Sequence, residues 1–289
     1  MKKKKSVPKH HGNILSCPWT TRNCMMGLVN ETKRGQIMLG YHTWQGGDSA
    51  VVMLHDWFCD TRSYETIKPY LPPEFTYYFI DVRGYGLSKH LTGAYTAEEI
   101  YGDVLALVEH LQLERFHLVT HSMTGLVAQL AAKRLTGRLL SVMATTPTPA
   151  CGTPGMMDNL PFFEGACVHD QNAARMIAGF MTSQRYAPAF VDHKVNTWWS
   201  CSTPEARLGY LHMFVKSNIV EEVAGCETPL TILTGSQDVD GHKKKDMEST
   251  IGTWFPRARF IDLEGSGHYP MQEVPPLFAS ALTQNLSGA

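Results

Sequence analysis

Leu118-Val119-Thr120-His121-Ser122-Met123-Thr124-Gly125-Leu126 decides how the rest of the chain is read. Phe116-His117-Leu118-Val119 is short, apolar and partly β-branched, as a strand buried on both faces should be. It runs into His121-Ser122 and then into an apolar helical stretch, Gly125 to Leu135. A serine at such a corner holds its hydroxyl above the end of the sheet, and the N–H of the next residue, Met123, opens onto the same space at a helix N-terminus. Taken alone, Ser122 could equally be an ordinary helix N-cap.

The same alternation extends on both sides. Ala50 to Leu54, Tyr77 to Ile80, Leu139 to Ala144, Leu230 to Leu233 and Ala258 to Leu263 read as further buried strands. Gly27-Leu28-Val29 and Gln36 to Tyr41 read as an antiparallel pair ahead of them. Helices are expected at Ser63 to Leu71, stopped by Pro72 and Pro73, and after Thr96, with Glu99 three residues beyond that cap. Another closes the chain, from Pro275 to Leu286. Strands alternating with helices imply an α/β fold with a mostly parallel sheet covered on both faces, its chemistry at the carboxyl ends of the strands. The segment 147–223 breaks the rhythm. It is rich in aromatics and methionines and has no clear strand, and a loop that long is rare in a compact domain, so a helical insertion over the strand ends is expected.

Composition removes several classes of function. Of 289 residues, 43% are hydrophobic and 18% charged, which is a folding chain with a sizeable core. The net charge of −1 argues against a nucleic-acid partner. No run of roughly 18 apolar residues predicts a membrane span. The lysine-rich start has no apolar stretch after it, so residues 1–25 read as a solvated extension rather than a secretion signal. The 7 cysteines are scattered without a C-x-x-C, which suggests reduced thiols and a cytoplasmic protein. None of the 13 histidines sits in a metal-binding frame, so neither a metal nor a cofactor is expected. Nothing in the sequence fixes an oligomeric state.

Two downstream stretches change the weight on Ser122. Gly235-Ser236-Gln237-Asp238 and Gly265-Ser266-Gly267-His268 each follow a buried strand, where a parallel sheet would gather them beside the corner. A serine hydroxyl needs a base to take its proton and a carboxylate to orient that base. Ser122, Asp238 and His268 are thus the candidate catalytic residues, in a chain order known for triads on such sheets. Leu54-His55-Asp56-Trp57-Phe58 follows the first core strand, and the amides of Trp57 and Met123 are the candidate oxyanion donors. Asp81 and Arg83 read as loop-holding residues. Asp240, before Gly241, reads as a turn or cap.

Together these stretches resemble the α/β-hydrolase superfamily, of the esterase, haloperoxidase-like and carbon–carbon-bond hydrolase type. The resemblance rests on V-V-M-L-H-D-W-F, F-I-D-V-R-G-Y-G-L-S, H-L-V-T-H-S-M-T-G, L-T-I-L-T-G-S-Q-D and G-S-G-H-Y-P. It implies a core of 26–146 and 224–289, with 147–223 a helical cap shaping an acyl or leaving-group pocket. It departs from the family at two places. His55-Asp56 stands where the family usually has His-Gly, and Thr120 and Thr124 stand where G-x-S-x-G has its glycines. The implied activity is hydrolysis of a small ester or related acyl substrate through a Ser122 acyl-enzyme. Lactone or carbon–carbon cleavage by the same residues, a binding protein with little turnover, and a cofactor-free oxygenase are the alternatives. Dehalogenase and epoxide hydrolase chemistry would require Asp in place of Ser122. Phe58, Phe162, Phe163, Met181, Trp198, Trp199 and Met213 are candidate pocket residues.

Overall fold

A computed structural model describes residues 24–27 and 38–288. The lysine-rich start and parts of the expected strands at 27–29 and 36–41 lie outside the described residues. Eight strands among those described form one sheet: β1 (Cys24–Gly27), β2 (Tyr41–Trp44), β3 (Ser49–Leu54), β4 (Phe75–Ile80), β5 (Phe116–His121), β6 (Leu139–Thr145), β7 (Thr231–Gly235) and β8 (Arg259–Leu263). Their spatial order is β1-β2-β4-β3-β5-β6-β7-β8. The β1–β2 and β2–β4 pairs are antiparallel, and every later pair is parallel. Val51 to Leu54, Phe116 to His121 and Ile232 to Thr234 are closed to solvent, as strands covered on both faces must be.

Two expectations needed correction. The antiparallel pair has Gly27 opposite Tyr41, and of the second expected strand Met38 to Gly40 are not in the sheet. Met38 and Leu39 are buried, but Gly40 beside them bonds to loops: its carbonyl accepts from Asp81 N and its N–H donates to Ser88 Oγ. Apolar residues suggest a strand here, but the backbone beside them pairs with loops. The helix expected at 63–71 is a 3-10 helix over Thr61–Tyr70, capped by the Asp60 side chain. Pro69 lies inside it and has no N–H to give to the helix.

Helix α1 (Ala97–His110) starts where Thr96 Oγ1 accepts from Glu99 N, and α2 (Gly125–Arg134) follows the Ser122 corner. Between β6 and β7 the chain forms α3 (Leu160–Val168), α4 (Gln171–Met181), α5 (Pro188–Cys201) and α6 (Pro204–Lys216). Proline in the first turn starts α3, α5 and α6, where its missing N–H is no loss. Asp170 caps α4 and Thr203 caps α6. These helices are bound to the strand ends. Trp57 Nε1 donates to the Arg207 carbonyl at 2.8 Å, and Tyr85 pairs with Ser202 in an isolated bridge. The buried Arg207 guanidinium donates to the carbonyls of Cys167 and Ser202, joining α3 to α6.

Candidate active site

Ser122 ends up above the sheet because β5 turns abruptly. Its φ is +51°, a left-handed conformation that a non-glycine residue adopts only under constraint. Glycine is needed one turn later. A Cβ on Gly125 would come within 2.4 Å of Pro147 Cβ, so α2 can leave the corner only with hydrogen at this position. Thr124, at a position where the family usually has glycine, is accommodated by hydrogen bonding. Its Oγ1 accepts from His121 N at 3.0 Å and has the carbonyls of His121 and His55 at 2.9 and 3.1 Å for its own proton.

The structure brings Ser122, His268 and Asp238 together. His268 Nδ1 lies 3.0 and 3.2 Å from the two Asp238 oxygens, and its Nε2 lies 2.9 Å from Ser122 Oγ. A carboxylate only accepts, so Nδ1 carries the hydrogen and Nε2 is left to receive the serine proton. Asp238 and His268 are buried, while Ser122 is half-open. Close packing sets this geometry: a Cβ on Gly235 would fall 2.3 Å from the Gly267 carbonyl, so the end of β7 presses directly on the loop carrying His268. Burial alone would push the Asp238 carboxyl up. The facing His268 imidazole outweighs it and holds the carboxyl below its ordinary value.

Met123 is the middle residue of the 3-10 turn Ser122–Thr124 that follows β5. Trp57 lies in the loop after β3, its carbonyl accepting from Tyr85 OH at 2.8 Å. The indole of Trp57 is packed edge-on against Phe58, Trp198 and Phe214. Phe58 and Trp198 stack at 4.0 Å, both closed to solvent. Of the other candidate pocket residues, Met213 is buried and Phe163, Met181 and Trp199 are half-buried. Met181 offers its carbonyl to the His268 N–H at 3.3 Å. Phe162 is exposed and lines an open groove of about 590 Å³ with Val168, Leu208 and His212, a groove whose lining includes neither Ser122 nor His268.

Two neighbours of the site have no role assigned from the sequence. The His242 ring lies 4.9 Å from that of His268, edge to face, and burial pushes its imidazole down to about 4. Its place beside a lysine run hid it among solvated residues. Asp238, His242 and His268 are also the one set among the described residues whose ligand-type atoms lie within 4.8 Å of one another. Asp238 and His268 are already bonded to each other, so we read the set as an extension of the Ser–His–Asp chain and not as an ion site. The second neighbour is Asp56, fully enclosed, with Oδ2 accepting from Phe58 N at 3.0 Å. Asp81 and Arg83 hold loops. Asp81 accepts from Thr61 N and Leu87 N, and Arg83 forks onto Asp103 at 2.6 and 2.7 Å.

Among the described residues no helix is long and apolar enough to cross a membrane. The chain is 40% identical over 80 residues to the Serine hydrolase-like protein of Danio rerio, which covers 27% of this chain and 24% of that protein's length. It is 25% identical over 259 residues to the Pimeloyl-[acyl-carrier protein] methyl ester esterase of Sodalis glossinidius (strain morsitans), covering 85% of this chain and 96% of that one. Its fold is similar to that of the enol-lactonase from Burkholderia xenovorans LB400, with a TM-score of 0.74 and 20% identity over 86% of this chain and 97% of the other. The model of the family described as "Alpha/beta hydrolase family" matches residues 51–281, and the chain belongs to that family.

Proposed function

We propose that this hydrolase-family chain is a serine carboxylesterase acting on small to medium esters. The observation that carries the reading is the unbroken hydrogen-bonded chain from Ser122 Oγ through His268 to Asp238. Ser122 Oγ attacks the acyl carbon as His268 Nε2 takes its proton, and Asp238 steadies the resulting imidazolium. The oxyanion is received by the amides of Trp57 and Met123, which between them remove several kcal/mol from the barrier. His268 then protonates the departing alcohol, and water, deprotonated by the same imidazole, releases the acid. The helices of segment 147–223 act as a cap over this centre. Similarity over nearly the full length to a methyl ester esterase supports ester as the bond cleaved.

The test is multiple turnover of p-nitrophenyl acetate and butyrate by the full chain, with Ser122→Ala beside it. Sustained turnover lost by several orders of magnitude in the variant is the expected result. A sulfonyl fluoride should add to one serine per chain. An adduct on a peptide lacking Ser122, or turnover that survives Ser122→Ala, would refute the assignment.

A further inference from the structure

His121, the residue before Ser122, is closed to solvent and has two ring nitrogens with different surroundings. Nε2 stands 2.7 Å from the His268 carbonyl oxygen. A carbonyl only accepts, so Nε2 carries a hydrogen. Nδ1 faces Asp56 Oδ1 at 3.6 Å, and neither atom has a hydrogen-bond partner among the described residues. A neutral imidazole cannot suit both neighbours. With its hydrogen on Nε2, a bare Nδ1 lone pair is turned on a carboxylate oxygen. With its hydrogen on Nδ1, a bare Nε2 meets the carbonyl at 2.7 Å, which is worse. Opposed buried acceptors are costly, and one further proton converts the opposition into a charge-assisted contact.

We infer that Asp56 and His121 are a buried proton-binding pair, a carboxylate facing an imidazole that becomes imidazolium as the pH falls, and that the pair positions the reacting groups. The inference rests on the reading of Ser122 as nucleophile. The pair joins the three segments that carry the chemistry. Asp56 lies beside Trp57 in the loop after β3, His121 lies beside Ser122 at the end of β5, and the Nε2 hydrogen reaches the backbone of His268. Asp56 Oδ2 also fixes the loop by accepting from Phe58 N. Asp56 occupies the position where the family usually has glycine, and a glycine could make none of these contacts.

The charged and titratable groups around the pair are few. His55 and Cys59 come from the Asp56 loop, Tyr64 from the 3-10 helix Thr61–Tyr70, Lys194 from α5, His242 from the loop after β7, and His268 and Tyr269 from the loop after β8. Burial would push Asp56 up, but Lys194, His121 and His55 reverse this and keep it ionised. Burial works against the charge on His121 and pulls its imidazole down, with Asp56 opposing. Cys59, Tyr64 and Tyr269 are pushed up by burial and stay neutral.

The deciding measurement is the protonation of His121 in the full chain, followed by nitrogen NMR of labelled imidazoles from about pH 7 down to about pH 4. The parent protein is expected to gain hydrogen on both ring nitrogens at a higher pH than Asp56→Asn does. Equal titration in the two proteins, or a neutral imidazole in the parent throughout, would overturn the pair whether or not any ester is turned over, so this failure is separate from failure of the esterase reading. On an ester, Asp56→Asn and His121→Gln should each lower kcat about ten- to a hundredfold with KM nearly unchanged, because a small misplacement of the reacting groups costs about that much. The double variant should fall no further than the worse single one. Independent, multiplying losses would show that the two residues do not act together.

Discussion

The hydroxyl of Thr124 stands 3.1 Å from the carbonyl oxygen of His55, so the first turn after the Ser122 corner is bonded to the loop leading to Trp57. The same oxygen accepts from His121 N, and the residue is closed to solvent. Removing the hydroxyl while keeping the bulk leaves a buried N–H without its acceptor. Thr124→Val is therefore expected to cost about 1–3 kcal/mol of stability, and to lower kcat on a short ester more than it raises KM. Thr124→Ser should recover both. Urea unfolding and steady-state kinetics on the three proteins check this, and a Val variant matching the parent would mean that the hydroxyl bonds contribute nothing.

Asp238 and Asp240 are close in sequence but unlike in setting. Asp238 is buried and bonded to His268 Nδ1, whereas Asp240 is exposed and pairs with Lys243 Nζ at 2.9 Å. Asp240 does not cap the helix Lys244–Ser249, where Lys243 holds the cap position; instead Asp246 Oδ2 accepts from Gly241 N at 2.9 Å. Asp238→Asn should lower ester turnover roughly 10³- to 10⁴-fold through loss of the oriented imidazole. Asp240→Asn should stay within about tenfold of the parent, as loss of a solvated ion pair does. Measuring both on one substrate decides between them, and the reverse ranking would move the orienting role to Asp240.

Phe58 and Trp198 stack at 4.0 Å with no exposure, while Phe162 stands on the outer groove. Trp198→Ala should consequently lower unfolding free energy by about 3–5 kcal/mol. Phe162→Ala should change it by no more than about 0.5 kcal/mol. Thermal and urea unfolding of the two variants test this, and a Trp198→Ala protein of parental stability would mean that the tryptophan is not a packing element.

Much of this architecture can be read from local pattern because its signals are local. Val51 to Leu54 and Phe116 to Val119 are apolar runs of strand length, and Ser122, Asp238 and His268 each stand just past such a run. Parallel pairing then gathers them without further instruction from the sequence. What stayed hidden depends on contacts between distant segments. His242 sits beside lysines and reads as solvated, although its ring is held against His268. Asp56 reads as a substituted glycine until β3 and β5 lie side by side and bring it to His121. Met38 and Leu39 have strand-like composition, but the backbone beside them bonds to the loops around Asp81 and Ser88.

His117 offers a test of how burial couples to pH. It lies on β5 with Nδ1 2.8 Å from Ser141 Oγ and its ring edge-on to Phe75. Burial, with Arg115 adding to it, pushes the imidazole down to about 4 from an ordinary 6.5. The folded protein thus keeps His117 neutral in a range where the unfolded chain takes up a proton. Its contribution is fully present above about pH 6.5 and drains away as the pH falls toward 4. His242, pushed down to about 4 as well, has the same sign, so some acid sensitivity should remain when His117 is removed. His117→Phe keeps a ring against Phe75 and cannot titrate. Its urea midpoint should fall less between about pH 7 and pH 5 than that of the parent protein, whatever the two midpoints are at pH 7. Equal falls in the two proteins would mean that His117 takes up its proton in the folded state as readily as in the unfolded one.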